Sequence, residues 1–200
     1  MGGEAPDPSA CKELAKGVDC IVAADSGLMN VERAGLSPDW IVGDMDSLDS
    51  VQRLAAYPKE RVLVYPADKD YTDTELALSL LWEQGCTWAA LVGGGGGRVD
   101  HLLALRSLFE RSPSPDRWIT DKEDIYALGQ GQSLHIEARS NSIVSVFPLG
   151  SDPWRITSSG LKWPLDGLRW DRGFFGISNR ALGTVSVESK VGRFLIVTER

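Results

Sequence analysis

Trp40-Ile-Val-Gly-Asp-Met-Asp-Ser47 is the stretch that decides the fold, because in it a short apolar run ends directly in two aspartates. Three similar apolar runs lie at 18–24, 61–65 and 87–92. Short, nearly continuous apolar runs are typical of strands that are covered on both faces, as in a parallel sheet. Segments with helical spacing lie between them, so residues 18–112 predict an α/β doubly wound, mostly parallel, Rossmann-like sheet.

The clearest helix of this half begins at Thr72. Thr72 and Glu75 match the pattern of a capping box, in which the N-cap side chain and the side chain three residues later satisfy each other's backbone N–H groups. Leucines and alanines then recur at helical spacing up to Gly85, which is predicted to end the helix. Another helix is predicted to begin near Val99.

From about Trp118 the pattern changes to short β-rich runs separated by turn residues. The runs are 125–128, 133–137, 143–147, 184–188 and 194–198, and Gly183 is one of the predicted turn residues between them. Several runs alternate apolar and polar residues, as half-exposed antiparallel strands do. We therefore expect a small β-sandwich or barrel here and a boundary near residue 120, which divides the chain into domains 1–120 and 121–200.

Composition excludes several classes of protein. The net charge of the 200-residue chain is −7, which argues against a broad nucleic-acid surface because such surfaces are usually basic. No apolar run approaches the roughly 20 residues of a membrane span, and the first residues lack the pattern of a signal peptide. The three scattered cysteines, with no metal-binding spacing, indicate reduced thiols in a cytoplasmic protein.

Polar or glycine-rich clusters follow all four predicted strands of the first half, at 25–27, 43–47, 66–73 and 93–101. In open α/β sheets, ligands bind beyond the carboxyl ends of the strands, so these clusters are expected to converge. Their carboxylates would repel one another without a cation, and Mg²⁺ prefers oxygen ligands of this kind. The seven carboxylates are Asp25, Asp44, Asp46, Asp68, Asp70, Asp73 and Asp100.

The glycine run 93–97 and Arg98 point to a phosphate ligand. Glycines expose backbone N–H groups ahead of a helix, and a guanidinium can bind phosphate oxygens in a bidentate way. Each feature alone has a simpler interpretation: Asp25 as a turn or N-cap residue, Asp73 as a complement to the helix dipole, the glycines as a flexible loop. The conjunction of all of them after consecutive strands favours a metal and phosphate site.

The motifs at 43–47, 68–73 and 97–101 resemble those of the thiamine pyrophosphokinase family in order and spacing, and the resemblance continues at 158–165 and 177–179. It implies an α/β domain followed by a C-terminal antiparallel β-sandwich, and a homodimer with active sites at the subunit interface. It also implies transfer of pyrophosphate from ATP to the hydroxyl of thiamine, with release of AMP.

By the same resemblance, Asp44, Asp46 and Asp73 would hold Mg²⁺ and the ATP phosphates. Further ATP-binding residues would be Asp25, Asp70, Thr72, Arg98 and Asp100. The residues around thiamine would be Trp163, Ser158, Ser159, Ser178 and Asn179. A tryptophan face attracts a flat cationic ring such as that of thiamine, whereas the simpler interpretation of Trp163 is a tryptophan of the sandwich core.

The sequence departs from the family in its first strand, which is missing or supplied differently, since residues 2–6 look like the loop that follows a strand. Two other functions stay open. One is a pyrophosphokinase for another hydroxymethyl heterocycle, such as a pterin, because Trp163 suits any flat ring. The other is a non-catalytic protein that binds ATP and thiamine.

Overall fold

The computed structural model describes residues 1–48, 50–151, 153–170 and 175–200. These residues form two compact units. One contains Met1–Leu108 with Ile119–Asp121, and the other contains Phe109–Trp118 with Lys122–Arg200.

The first unit alternates helices with short strands, as its sequence pattern predicts. Its elements are α1 (Pro8–Leu14), β1 (Val22–Ala24), α2 (Gly27–Arg33), β2 (Trp40–Gly43), two 3₁₀ helices (Val51–Ala56 and Lys59–Arg61), β3 (Val62–Val64), α3 (Asp73–Glu83), β4 (Ala90–Val92) and α4 (Val99–Leu108). Strand β5 (Arg117–Ile119) follows, and Ile119 belongs to this unit.

Three of the four predicted strands form a parallel sheet in the order β1-β2-β3. Ile41 of β2 stands opposite Ala23 of β1 on one side and Val62 of β3 on the other. Strand β4 lies outside this ladder, so the parallel sheet is shorter than the sequence predicts. Buried Ala23 and Ile41 of the sheet pack with Leu28 and Met45 in one hydrophobic core.

The backbone after β4 pairs with the first residues of the chain. The Gly94 N–H donates to the Gly2 carbonyl at 2.6 Å, and Glu4 and Gly95 exchange two hydrogen bonds of 2.8 and 3.0 Å in an antiparallel bridge. The Met1 ammonium group donates to the Val92 carbonyl at 3.0 Å. The segment from Met1 to Glu4 therefore satisfies backbone groups of β4 and of the glycine run that follows it.

The second unit is antiparallel. Its strands are β6 (Glu123–Leu128), β7 (Ser133–Glu137), β8 (Ile143–Leu149), β9 (Arg155–Leu161), β10 (Gly176–Val191) and β11 (Arg193–Glu199). They run in the order β6-β11-β8-β10-β7, and β9 also pairs with β10. The alternating side chains of these strands bury a core in which the rings of Trp170 and Phe194 meet edge to face, with centroids 5.4 Å apart.

Two features of this unit differ from the prediction. Gly183 does not end a strand but lies inside the 16-residue β10. The partner of β10 changes there, from β8 before Ala181 to β7 from Thr184 onwards, so the glycine marks a change of partner and not a turn. Strand β9 was not expected, because its polar centre lacks alternation; it forms because its backbone pairs with β10.

Within the described residues, no helix combines the length and the apolar character needed to cross a membrane.

Candidate functional site

The carboxyl ends of β1 and β2 bring three aspartates together. Asp25 follows β1, whereas Asp44 and Asp46 follow β2, and one carboxylate oxygen of each lies within 4.8 Å of the other two. The parallel pairing of β1 and β2 is what places both strand ends at the same edge. We call Asp25, Asp44 and Asp46 the acid cluster.

Backbone turns allow these aspartates to approach one another. Met45 adopts a left-handed conformation with φ of 65° while its side chain is buried, so Asp44 and Asp46 reach the same region although only one residue separates them. Gly43 has a φ of 150°, and a Cβ atom there would lie 3.1 Å from the Cβ of Asp25 and 3.2 Å from Oδ1 of Asp73. A larger residue at 43 would therefore push these aspartates apart.

Asp25 supplies a buried oxygen atom that lacks a hydrogen-bond partner. The residue is 8% exposed, and its Oδ1 atom accepts no hydrogen bond from any part of the chain that the structure describes. A buried carboxylate without a partner is unfavourable, because it has lost the water that would stabilise its charge. The donor set therefore fits a small divalent cation with oxygen ligands, such as Mg²⁺.

Lys69 is the positive charge beside this cluster. Its Nζ atom lies 2.8 Å from Oδ2 of Asp44 and 3.2 Å from Oδ1 of Asp73, and its side chain is 13% exposed. The hydrogen bond to Lys69 holds the pKa of Asp44 below its usual value, and the same bond raises the pKa of Lys69. Burial raises the pKa of Asp73.

The sequence prediction did not assign a role to Lys69. Two signals could have identified it: it precedes Asp73 by four residues, and it is the one cationic side chain within residues 68–73. The predicted metal ligand Asp73 contacts this lysine, and it lies in the first turn of α3. Asp70, predicted to bind ATP, is exposed.

The capping box predicted at the start of α3 is confirmed. The Thr72 hydroxyl accepts a hydrogen bond from the Glu75 N–H at 3.3 Å, and a Glu75 carboxylate oxygen accepts one from the Thr72 N–H at 2.7 Å. The cap fixes the first turn of the helix, which carries Asp73. Thr72 therefore has a structural role besides the predicted contact with ATP.

Arg98 and Asp100 form a pair of their own at the start of α4. The Arg98 Nε–H donates to Oδ1 of Asp100 at 3.0 Å, and both side chains are exposed. The hydrogen bond to Arg98 lowers the pKa of Asp100. Among the described residues, the polar side-chain contacts of both lie with each other and with the His101 backbone, and neither contacts the acid cluster.

In the second unit, Asn179 fixes the backbone of Trp163. Its Oδ1 accepts a hydrogen bond from the Trp163 N–H at 3.1 Å, and its Nδ2 donates to the Trp163 carbonyl at 2.6 Å. Asn179 is buried, whereas the Trp163 side chain is 53% exposed, so the interpretation of Trp163 as a core residue is wrong. The Lys162 ammonium lies 4.6 Å from the centroid of the Trp163 ring, within the range of a cation–π contact.

The predicted serines fall into two groups. The Ser158 hydroxyl accepts a hydrogen bond from the Leu165 N–H at 2.9 Å, so it closes the turn that presents Trp163. Ser159 and Ser178 are exposed. Ser178 has a left-handed φ of 58°, and its N–H donates to the Ser145 hydroxyl at 3.0 Å.

Two family models match the chain, one in each half of the sequence. The thiamin pyrophosphokinase catalytic-domain model matches residues 11–116. The vitamin B1 binding domain model of thiamin pyrophosphokinase matches residues 132–194.

The chain is also similar to individual proteins. It is 30% identical over 149 residues to thiamine pyrophosphokinase of Bacillus subtilis strain 168. The aligned region covers 72% of this chain and 70% of that protein. It is 28% identical over 145 residues to thiamine pyrophosphokinase 1 of Oryza sativa subsp. japonica. The aligned region covers 67% of this chain and 55% of that protein.

Solved structures show the same relationship. The crystal structure of thiamine pyrophosphokinase from Bacillus subtilis superposes with a TM-score of 0.82 at 25% identity, covering 100% of this chain and 96% of the other. The structure of thiamin pyrophosphokinase from Geobacillus thermodenitrificans superposes with a TM-score of 0.75 at 28% identity, covering 100% and 94%.

Proposed function

The chain belongs to the thiamin pyrophosphokinase family, and we propose that it transfers pyrophosphate from ATP to the hydroxyl of thiamine, giving thiamine diphosphate and AMP. The observation that carries the proposal is the convergence of Asp25, Asp44 and Asp46 around a buried carboxylate oxygen without a partner. Such a site suits a reaction whose main requirement is the neutralisation and positioning of phosphate charge.

The reaction exchanges one phosphorus–oxygen bond for another. The thiamine hydroxyl oxygen forms a bond to the β-phosphorus of ATP, and it loses its proton. The bond between the β-phosphorus and the oxygen that bridges it to the α-phosphorus breaks, so that this oxygen leaves with AMP and the β- and γ-phosphates stay together on thiamine. The chain has to hold the hydroxyl and the phosphate in line and to offset the negative charge of the phosphate oxygens.

We propose that Asp44, Asp46 and Asp73 hold Mg²⁺ and through it the ATP phosphates, with Asp25 as an additional ligand. The acid cluster supports Asp25, Asp44 and Asp46 as ligands of one ion. When bound, Mg²⁺ supplies positive charge next to the phosphate oxygens. Further contacts with ATP are assigned to Asp70, Thr72, Arg98 and Asp100; the exposure of Arg98 leaves its guanidinium accessible to phosphate.

We assign thiamine to the second unit, around Trp163. The exposed ring suits a flat cation, and Asn179 holds its backbone in place from the buried side. Ser158, Ser159 and Ser178 complete the proposed set. The assignment also agrees with the proposed division of the chain into a Rossmann-like ATP-binding domain, 1–120, and a β-sandwich thiamine-binding and dimerisation domain, 121–200.

We further propose a homodimer with active sites at the subunit interface, located in the cytoplasm. The dimer is supported by exposed apolar side chains concentrated between residues 163 and 182 of the second unit, since exposed apolar surface often marks a protein interface. These side chains are Trp163, Leu168, Phe175, Ile177 and Leu182. The cytoplasmic location is supported by the three cysteines, all of which are free thiols.

The test is to incubate the purified chain with ATP, Mg²⁺ and thiamine and to measure AMP and thiamine diphosphate. Asp46→Ala should lower the rate of AMP formation at least about 100-fold, because a ligand of the phosphate-binding ion is lost. Asp19→Ala, which removes an exposed aspartate outside the site, is the matched control and should keep the wild-type rate.

Equal AMP formation by wild type and Asp46→Ala would contradict the proposal. The same assay separates the two remaining functions. AMP formation with a hydroxymethyl pterin but not with thiamine would change the acceptor. Calorimetric binding of ATP and thiamine without AMP formation would indicate a non-catalytic binding protein.

A further inference from the structure

Lys69 is distinctive because it already neutralises part of the site that we assign to a metal ion. The acid cluster and Asp73 carry four carboxylates, and Lys69 is the cation that the structure places in ion pairs with two of them, Asp44 and Asp73. Its side chain is 13% exposed, so water screens these pairs much less than it screens a surface pair.

The two oxygens of Asp44 are both engaged. Oδ1 accepts a hydrogen bond from the Asp46 N–H at 3.2 Å, and Oδ2 accepts one from Lys69 at 2.8 Å. Asp25 differs, since its buried Oδ1 has no partner among the described residues. The site therefore has a buried oxygen of Asp25 without a hydrogen-bond partner and holds Asp44 in an ion pair with a lysine.

We propose that Lys69 is a displaceable counter-ion. Lys69 neutralises Asp44 and Asp73 while no divalent ion is bound. When metal and nucleotide bind together, the Lys69 ammonium moves away from Asp44 and contacts the phosphate oxygens of ATP. The proposal rests on the proposed function of the acid cluster.

The charges explain why displacement requires the nucleotide. A divalent ion bound by Asp44 without ATP leaves the Lys69 ammonium next to a second positive charge, and it takes away Asp44, one of the two carboxylate partners of Lys69. ATP brings phosphate oxygens that can accept this ammonium, and lysine has a flexible four-carbon stem with three donors to reach them. Lys69 therefore weakens the binding of the free metal ion and strengthens the binding of the nucleotide complex.

The first experiment measures Mn²⁺ binding to the full chain without ATP, using the electron paramagnetic resonance signal of free Mn²⁺. Lys69→Met should bind Mn²⁺ on the order of tenfold more tightly than wild type, because Asp44 no longer has a competing partner. Lys69→Arg keeps the positive charge and should bind Mn²⁺ as weakly as wild type. Lys59→Met removes an exposed lysine of the same unit and serves as the matched control.

The second experiment measures ATP binding in the presence of Mn²⁺ and without thiamine. Lys69→Met should bind ATP on the order of tenfold more weakly than wild type, whereas Lys59→Met should not differ from it. The combination of tighter metal binding and weaker nucleotide binding is specific to a displaceable counter-ion, since a purely structural lysine would weaken both or neither.

Unchanged or weaker Mn²⁺ binding by Lys69→Met, or unchanged ATP binding, overturns the proposal. Circular dichroism checks that the variant is folded, and Lys69→Gln replaces it if it is not. Neither titration depends on turnover. A wild-type chain that forms no thiamine diphosphate would refute the proposed function alone, whereas the titrations test Lys69 separately.

Discussion

At the scale of single residues, Trp163 shows how a buried amide can present an exposed ring. Asn179 satisfies both backbone groups of Trp163, so the backbone that carries the ring is held in place without a ligand. Loss of the ring should therefore reduce thiamine affinity without unfolding the unit. Trp163→Ala is expected to weaken thiamine binding by about 0.5–2 kcal/mol, which is roughly two- to thirtyfold in Kd.

Isothermal titration calorimetry with thiamine checks this expectation. Trp88→Ala is the matched control, because Trp88 is 51% exposed, close to the 53% of Trp163, but belongs to the first unit. If both variants bind thiamine as wild type does, Trp163 is not part of the thiamine site.

Residue patterns predicted the acid cluster better than they predicted its counter-ion. Asp25, Asp44 and Asp46 could be placed together because parallel strands bring their carboxyl ends to one edge. The pairing of Lys69 with Asp44 depends on how a loop returns from β3, which local periodicity does not encode. Arg98 pairs locally, since its charged partner is its near neighbour Asp100.

At the scale of elements, the start of α3 contributes both to the stability of the fold and to the proposed metal site, because it carries the Thr72 cap and Asp73. The cap of Thr72 satisfies the Glu75 N–H, which otherwise has no partner inside the helix. Thr72→Ala should lower the free energy of unfolding by about 1 kcal/mol, within the usual range for loss of an N-cap. Ser79→Ala, an exposed position in the middle of the same helix, should change it by less than about 0.5 kcal/mol.

Urea unfolding followed by circular dichroism measures both changes. The result would contradict the capping role if Thr72→Ala were as stable as Ser79→Ala. Because Asp73 is the first residue of α3, the less stable variant should also bind Mn²⁺–ATP more weakly than wild type.

The strands show where the local sequence pattern is sufficient to predict a strand and where it is not. Strand β7 occupies residues 133–137 as predicted, because apolar and polar residues alternate without interruption. Strand β9 contains Ser158, Ser159 and Gly160, which give no such pattern, and only pairing with β10 makes it a strand. Gly183 looks like a turn residue in the sequence, but long-range pairing on both sides keeps the chain extended through it.

At the scale of the whole molecule, the change of periodicity near Trp118 predicted the change from a mixed α/β unit to an antiparallel one. The parallel sheet was predicted with four strands and contains three, because the backbone after β4 pairs with Ile119 and with residues 1–4 instead. Sequence periodicity identifies each strand, but the choice of its neighbour depends on contacts far along the chain.

The exposed apolar side chains of the second unit lead to a prediction about the oligomeric state of the whole molecule. Ile177 and Leu182 of β10 are 61% and 64% exposed, and the Phe175 ring lies 5.4 Å from that of Phe147. A homodimer would remove such side chains from water, which is favourable by roughly 25 cal/mol for each Å² of apolar surface. A charge introduced among them should oppose association, because it would have to be desolvated without a partner.

Sedimentation equilibrium should therefore give the wild-type chain twice its 21.8 kDa mass and Ile177→Glu the mass of a monomer. Val51→Glu adds the same charge at a 63% exposed valine of the first unit and should leave the dimer intact. If the active sites lie at the subunit interface, Ile177→Glu should also lose thiamine diphosphate formation at protein concentrations where Val51→Glu retains it. A wild-type monomer with full activity would refute both the dimer and the interfacial site, whereas a dimeric Ile177→Glu would move the interface away from β10.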